Sequence, residues 1–302
     1  MAVEELTDRG TVRRLLDEAG VRPSKRLGQN FLVEPTVLGS IEDAVAEASP
    51  RRIIEIGAGL GTVTRVLASL APDVEAIEID RRLVGVLERT VGGLDSVTVC
   101  QRDVLDHTFG DREHRAGTVV FGSIPYASTA PILQRLVAHH ESISAAVLLT
   151  QREVAEKIET SPGASGSALG VLVKAYADVR LIRRVRRGCF FPIPDVDSTL
   201  WTMRFLETPR FTSDPASFFS VVRAIYGVRR KMLRVALRQI ASRECIDEAL
   251  RTAEIDETVR GETLDFEELD RLACGLEREG TSFGTADPSG GAGGEAPSPS
   301  RP

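Results

Sequence analysis

The chain has 302 residues, enough for one large domain or a medium domain with a small companion, and its 42% hydrophobic content excludes wholesale disorder. Its 44 acidic and 38 basic residues give a formal net charge of −6, a mild acidity that leaves any nucleic-acid partner to be decided by local charge. No apolar run approaches the roughly 18 residues that cross a bilayer, Glu4, Glu5 and Asp8 stand where a secretory signal would be basic, and the four cysteines form no paired motif. A reduced, cytoplasmic setting without a membrane partner is therefore expected.

Residues 1–50 read as a helical N-terminal segment. From 51 onward, strand-like runs alternate with helical stretches. Residues 53–56 form a short buried strand that ends at Gly57, and 62–70 carry Val63, Val66, Leu67 and Leu70 at helical spacing. Further strands are expected at 74–79, 97–99, 118–121 and 145–149, with a helix through Leu83, Val84 and Leu87. Strands separated by helices imply right-handed crossovers and a mostly parallel sheet, an α/β fold. Residues 179–185 and 199–206 alternate instead, and the turn material between them predicts an antiparallel pair at the sheet edge. Beyond Pro209 only helical periods remain, at 218–243, 246–253 and 266–276. The expected organisation is thus an α/β domain over 51–207, a small helical domain over 208–279, and a Gly/Ser/Pro-rich tail over 280–302 that reads as disordered.

The strongest chemical signal is Glu55-Ile56-Gly57-Ala58-Gly59-Leu60-Gly61-Thr62, at the junction of the first strand of this sheet and its helix. Gly57, Gly59 and Gly61 permit a tight turn and the close approach of a ligand to the backbone. Glu78 and Asp80 follow at the end of the next strand, where a carboxylate can accept both hydroxyls of a ribose. Dinucleotide-binding folds share this spacing and remain the competitor, although the loop lacks the offset third glycine of the pyrophosphate fingerprint. Asp103, just past the third strand, either accepts from an exocyclic adenine amine or caps a turn.

A second constellation, Gly122-Ser123-Ile124-Pro125-Tyr126, follows the fourth strand of this series. The Ser123 hydroxyl and the Ile124 carbonyl, aimed by Pro125, could receive two N–H donors from one amino group while Tyr126 stacks on the ring that bears it. The plainer reading is a polar turn closed by Pro125 and anchored by a packed tyrosine.

In these motifs, and in others along the chain, the sequence resembles the S-adenosylmethionine-dependent rRNA adenine N6-methyltransferases, the KsgA-type dimethyladenosine transferases and their Erm-type antibiotic-resistance relatives. The likeness runs from about Arg22 to Leu276. Lys25-Arg26-Leu27-Gly28-Gln29-Asn30-Phe31-Leu32 matches the family's N-terminal cofactor-contacting segment, which assigns Gln29, Asn30 and Leu32 to the cofactor. The glycine loop with Glu55, the ribose acid Glu78 and the adenine acid Asp103 match in order. Phe190-Phe191-Pro192-Ile193-Pro194 matches a late motif whose first Phe, here Phe190, stacks on the target base. Arg229-Arg230-Lys231-Met232-Leu233 matches a basic helix, so that Arg229, Arg230, Lys231 and Arg234 become candidate RNA contacts. Residues 151–158 and the Val196-Asp197-Ser198 ending look more like the KsgA type. One departure stands out, because the family usually has Asn, which accepts from the amine being methylated, where this chain has Ser123, a residue expected to border the cofactor as well.

The resemblance implies a Rossmann-like methyltransferase sheet, S-adenosylmethionine as cofactor, and N6 dimethylation of adjacent adenosines in 16S-type small-subunit rRNA within a pre-ribosomal particle, by a monomeric enzyme. An Erm-like enzyme acting on 23S rRNA and an assembly factor that has lost the chemistry are the alternatives. Arg180, Arg183, Arg184, Arg186 and Arg187 near the sheet edge, and Arg230, Arg234 and Arg238 at four-residue spacing, offer local positive charge despite the net acidity; a solvated arginine face is the plainer reading. None of His107, His114, His139 and His140 falls in a motif, and no cluster has metal-ligand spacing.

Overall fold

The structure, a computed structural model, describes residues 1–24, 28–229 and 231–281, without the side chains of His114 and Tyr126. Two helices, α1 (Val3–Thr7) and α2 (Arg9–Glu18), open the chain, with Asp8 accepting from the Thr11 amide at 2.7 Å to cap the second. A two-residue strand β1 (Phe31–Leu32) and helix α3 (Pro35–Ala46) follow. The α/β unit then runs β2 (Arg52–Ile56), α4 (Thr62–Leu67), β3 (Asp73–Glu78), α5 (Arg81–Val91), β4 (Val97–Gln101), β5 (Thr118–Ser123), α6 (Thr129–Ala138), β6 (Ala145–Gln151), α7 (Arg152–Glu159), α8 (Ala168–Tyr176), β7 (Ala177–Val185), β8 (Phe190–Phe191) and β9 (Ser198–Phe205). Four helices close the described chain: α9 (Pro215–Gly227), α10 (Leu233–Leu237), α11 (Arg243–Ala253) and α12 (Phe266–Arg278).

Seven strands form one sheet in the order β4-β3-β2-β5-β6-β9-β7. The first five are parallel, and β9 enters antiparallel between β6 and β7. This is the mostly parallel sheet with an antiparallel edge pair that the sequence predicts. Chain order reverses direction at β2, which pairs with β3 on one side and β5 on the other. Ile56 pairs with Ile77 and Gly122, and Glu78 with Gln101, so the carboxyl ends of β2, β3, β4 and β5 finish level at this switch point. A crevice at that edge is the usual ligand site of an open α/β sheet. Among the described residues no helix is long and apolar enough to cross a membrane.

The helix expected over 218–243 is in fact two. Helix α9 ends at Gly227, and the chain leaves helical pairing so that Met232 bridges Arg260 and the Leu233 amide donates to the Val259 carbonyl at 2.9 Å. These long-range bonds outweigh the local helical preference. Arg234 therefore lies on the short α10 and Arg238 caps its end, while Arg230 lies outside the described residues. The other two helices behave as expected: Asp265 and Glu268 form a reciprocal capping box at the start of α12, at 2.8 and 2.9 Å. The stretch 68–70, expected in helix, is a turn after Leu67.

The core does not stop at residue 207. Tyr176 of α8 meets Phe211 edge-on with ring centres 5.5 Å apart, and Phe211 stacks on Phe218 of α9 at 4.4 Å. Sheet and C-terminal helices thus share one apolar interior. Residues 282–302, where the sequence reading expects a disordered tail, lie outside the described residues.

Candidate active site

The level strand ends place the predicted residues around one cavity of about 200 Å³, whose walls include Gln29, Gly57, Gly59, Glu78, Asp103 and Ser123. Asn30, Leu32 and Glu55 line it as well. The three glycines of the loop all have left-handed backbone, with φ of +73°, +58° and +84° at Gly57, Gly59 and Gly61. Any Cβ at Gly61 would stand 2.7 Å from the Thr90 hydroxyl, which itself donates to the Leu60 carbonyl at 2.7 Å and so pins the loop to α5.

Two buried carboxyls lie beneath this loop. Glu78 accepts from the Gly59 amide through Oε2 and from the Asp80 amide through Oε1, both at 2.9 Å, and burial raises its pKa. Each oxygen has one lone pair used and one left for a diol. Glu55 is 2% exposed, and its Oε2 has no hydrogen-bond partner among the described residues. Burial, reinforced by the neighbouring Glu78 and opposed by Thr64, pushes its carboxyl up to about 8, which favours the protonated form. Asp80 behaves oppositely. Hydrogen bonds from Arg82, then from Gln29, hold it down to about 2. The Gln29 amide group donates to Asp80 at 3.0 Å while its oxygen accepts from the Ser24 amide at 2.9 Å, tying the N-terminal segment to the end of β3.

Asp103 makes the turn cap that the sequence allows and also faces the cavity. Its Oδ1 caps the following turn by accepting from Leu105 at 2.9 Å, and the side chain also lines the cavity. Sequence reasoning missed two further walls. Ile79 and Leu105 are large apolar side chains left 50% and 38% exposed beside the cavity. The available signal was Ile79 itself, an apolar residue between two acids just past a strand.

A second, smaller cavity of about 30 Å³ shares Gly28, Asn30, Ser123, Pro125 and Leu149 with the first and is closed by Ile124, Phe190, Pro194 and others. Ser123 ends β5 and borders both spaces. The Ile124 amide donates to Leu149 at 2.9 Å, while its carbonyl has no partner among the described residues. Phe190, 3% exposed, packs with Leu32, Leu149, Val185 and Leu200 and forms the far wall. The Tyr126 side chain lies outside the described residues.

The predicted RNA contacts are not gathered there. The Arg229 guanidinium bonds the Gly166 carbonyl and lies 5.1 Å from the centre of the Tyr226 ring. Arg234 forms ion pairs with Asp247 and Glu257, and Lys231 is exposed. Near the sheet edge, Arg180 pairs with Glu47, Arg184 with Asp197, and Arg183 bonds Thr36 and Ser40. His107 is buried, and His139 and His140 pack against Phe109 and Tyr176. Among the described residues no three His, Cys, Asp or Glu side chains gather as a metal site would require.

Comparison with known proteins agrees with this arrangement. A relative described as ribosomal RNA small subunit methyltransferase A from Deinococcus radiodurans is 39% identical over 267 residues, covering 88% of this chain and 89% of its own. One of the same description from Clostridium acetobutylicum is 36% identical over 270 residues, 88% of this chain and 98% of its own. In structure, a dimethyladenosine transferase from Plasmodium falciparum shares the fold with a TM-score of 0.73 at 24% identity, covering 83% of this chain and 99% of its own. The 23S rRNA methyltransferase ErmE follows at 0.64 and 25%, with 82% of this chain and 100% of its own covered. The model of the family described as ribosomal RNA adenine dimethylase matches residues 21–273, and this chain belongs to that family.

Proposed function

We propose that the chain transfers methyl groups from S-adenosylmethionine to the exocyclic N6 amine of adjacent adenosines in small-subunit rRNA, dimethylating each within a pre-ribosomal particle. The observation that carries this reading is the meeting of two cavities at Ser123, one lined by Glu78 and Asp103 and one bordered by Ile124 and the aromatic wall of Phe190. The lining fits the cofactor: Glu78 retains lone pairs for ribose hydroxyls, Asp103 can accept from the adenine amine, and Ile79 and Leu105 flank the place of a flat ring. Gln29, Asn30, Leu32, Glu55, Gly57 and Gly59 complete that wall, while Gly61 stands back from it against α5. Bound there, S-adenosylmethionine supplies a methyl already activated by a positive sulfur.

The protein's task is alignment. Ser123 Oγ and the Ile124 carbonyl accept the two N–H groups of the adenine amine, which draws its delocalised lone pair out of the ring plane and toward the neighbouring cavity. Pro125 fixes the direction of that carbonyl, and Phe190, with Tyr126, holds the base by stacking, at about 1–3 kcal/mol per contact. The proton of the alkylated amine is acidic and passes to water, so no general base is required. At about 30 Å³ the smaller cavity holds no more than a water or two, so the 190–198 loop and the segment around Gly28 must part to admit a base. Lys231, with Arg229, Arg230 and Arg234, belongs to the RNA side of the reading.

Incubation with tritiated S-adenosylmethionine and separately prepared immature small and large ribosomal subunits tests the reading. Label in small-subunit rRNA, on adenosine, is the expected result. Label only in large-subunit rRNA would indicate an Erm-like activity; binding without label would indicate an assembly factor.

A further inference from the structure

The arginines of the C-terminal helices are largely committed to internal partners, yet a second basic surface borders the acceptor cavity. Helix α2 lies before residue 21, where the family match begins. Arg9 and Arg13 are four residues apart on α2 and so share one face of it. Arg9 donates to the Gly188 carbonyl and, at 3.3 Å, to the Phe190 carbonyl. The Arg13 guanidinium sits 5.4 Å from the centre of the Phe191 ring, stacked and still exposed. Arg186 and Arg187, both exposed, immediately precede this loop, and Ile193 is 57% exposed just beyond it.

Three of the nearby acids are already engaged, while exposed Asp17 stands four residues from Arg13 on α2. Asp8 caps α2, Glu18 pairs with Arg14 at 3.3 Å, and Asp197 accepts from Arg184 at 2.7 Å and from the Arg187 amide at 3.0 Å. We infer that the face formed by α2 and residues 186–193 is an RNA-docking surface. Arg13 and Arg186 would neutralise phosphates of the strand carrying the target adenine, and Ile193 would meet an unstacked base beside it. This rests on the reading of the site as an rRNA methyltransferase. Charge complementarity and continuity with the acceptor cavity favour RNA as the occupant.

The test is the salt dependence of binding to the methylatable small-subunit rRNA. Each lost phosphate contact flattens the log–log slope by about 1, so the double variant Arg13→Gln/Arg186→Gln should flatten it by about 2. Arg14→Gln, on the same helix but paired to Glu18, should leave the slope alone. Arg13→Lys/Arg186→Lys, which keeps the charge, should restore it, and calorimetric affinity for S-adenosylmethionine should stay at the wild-type value throughout. A double glutamine variant with the wild-type slope overturns the docking surface alone. A wild-type protein that neither binds nor labels the rRNA overturns the substrate reading and the surface together.

Discussion

Leu32 stands directly opposite Phe190 in a two-residue antiparallel ladder, with Phe31 opposite Phe191. That ladder, extended by the bond from the Val33 amide to the Cys189 carbonyl at 2.9 Å, joins the N-terminal segment, which lines both cavities, to the loop after β7, which lines the smaller one. Phe190→Leu preserves the backbone pairing and most of the buried volume, so stability should fall by only about 1 kcal/mol. Single-turnover methyl transfer should nonetheless drop about tenfold through loss of a base stack. A folded variant with unchanged turnover would remove Phe190 from base recognition.

Burial of Glu55 imposes a pH dependence on stability. Its pKa rises from 4.5 to about 8 on folding, so between those values the folded protein holds a proton that the unfolded chain has lost. Stability from this group is therefore full below pH 4.5 and declines as pH rises toward 8, with a limiting slope of about 1.4 kcal/mol per pH unit. Thermal melts of Glu55→Gln should lack that decline and exceed the wild type at pH 8 to 9. Parallel wild-type and variant curves would show that Glu55 is ionised in the fold.

At Gly28 the backbone is left-handed, φ +59°, and an added Cβ would fall 2.4 Å from the Cβ of Pro125. Gly28→Ala should push the N-terminal segment off the acceptor loop. Cofactor affinity by calorimetry should weaken at least tenfold, with a lower melting temperature. Retention of wild-type affinity would mean that the two loops move independently.

In the proposed reaction Ser123→Ala removes an acceptor that serves the amine rather than the cofactor. Turnover should fall by about ten- to a hundredfold while the S-adenosylmethionine Kd stays within about twofold. Ser123→Asn, which restores the residue usual in the family, should keep or raise turnover. Should alanine work as well as serine, the hydroxyl has no part in the chemistry.

The glycine loop, Glu78, Asp103 and Ser123 could be read from sequence because each follows a recognisable strand, and parallel strands in register bring such ends to one edge. The Leu32–Phe190 ladder could not. Two-residue strands have no periodicity, and their partners are far apart in the chain. The break after Gly227 was hidden for a related reason: the local pattern is helical, and what overrides it lies at Val259 and Arg260. Arg234 likewise looks like a free cation until Asp247 and Glu257 are folded against it.

The stacked rings of Tyr176, Phe211 and Phe218 carry one interior from the sheet into the last helices. Two lobes fused in this way share one interior and do not hinge as bodies, so accommodation falls to the loops at the acceptor cavity and to the RNA. Selection would then act in part on the shape of the ribosomal precursor, favouring particles whose adenines already stand where the fused body can meet them once those loops have parted. X-ray scattering from the enzyme should be the same whether or not the cofactor is bound; a change in radius of gyration would reveal a hinge.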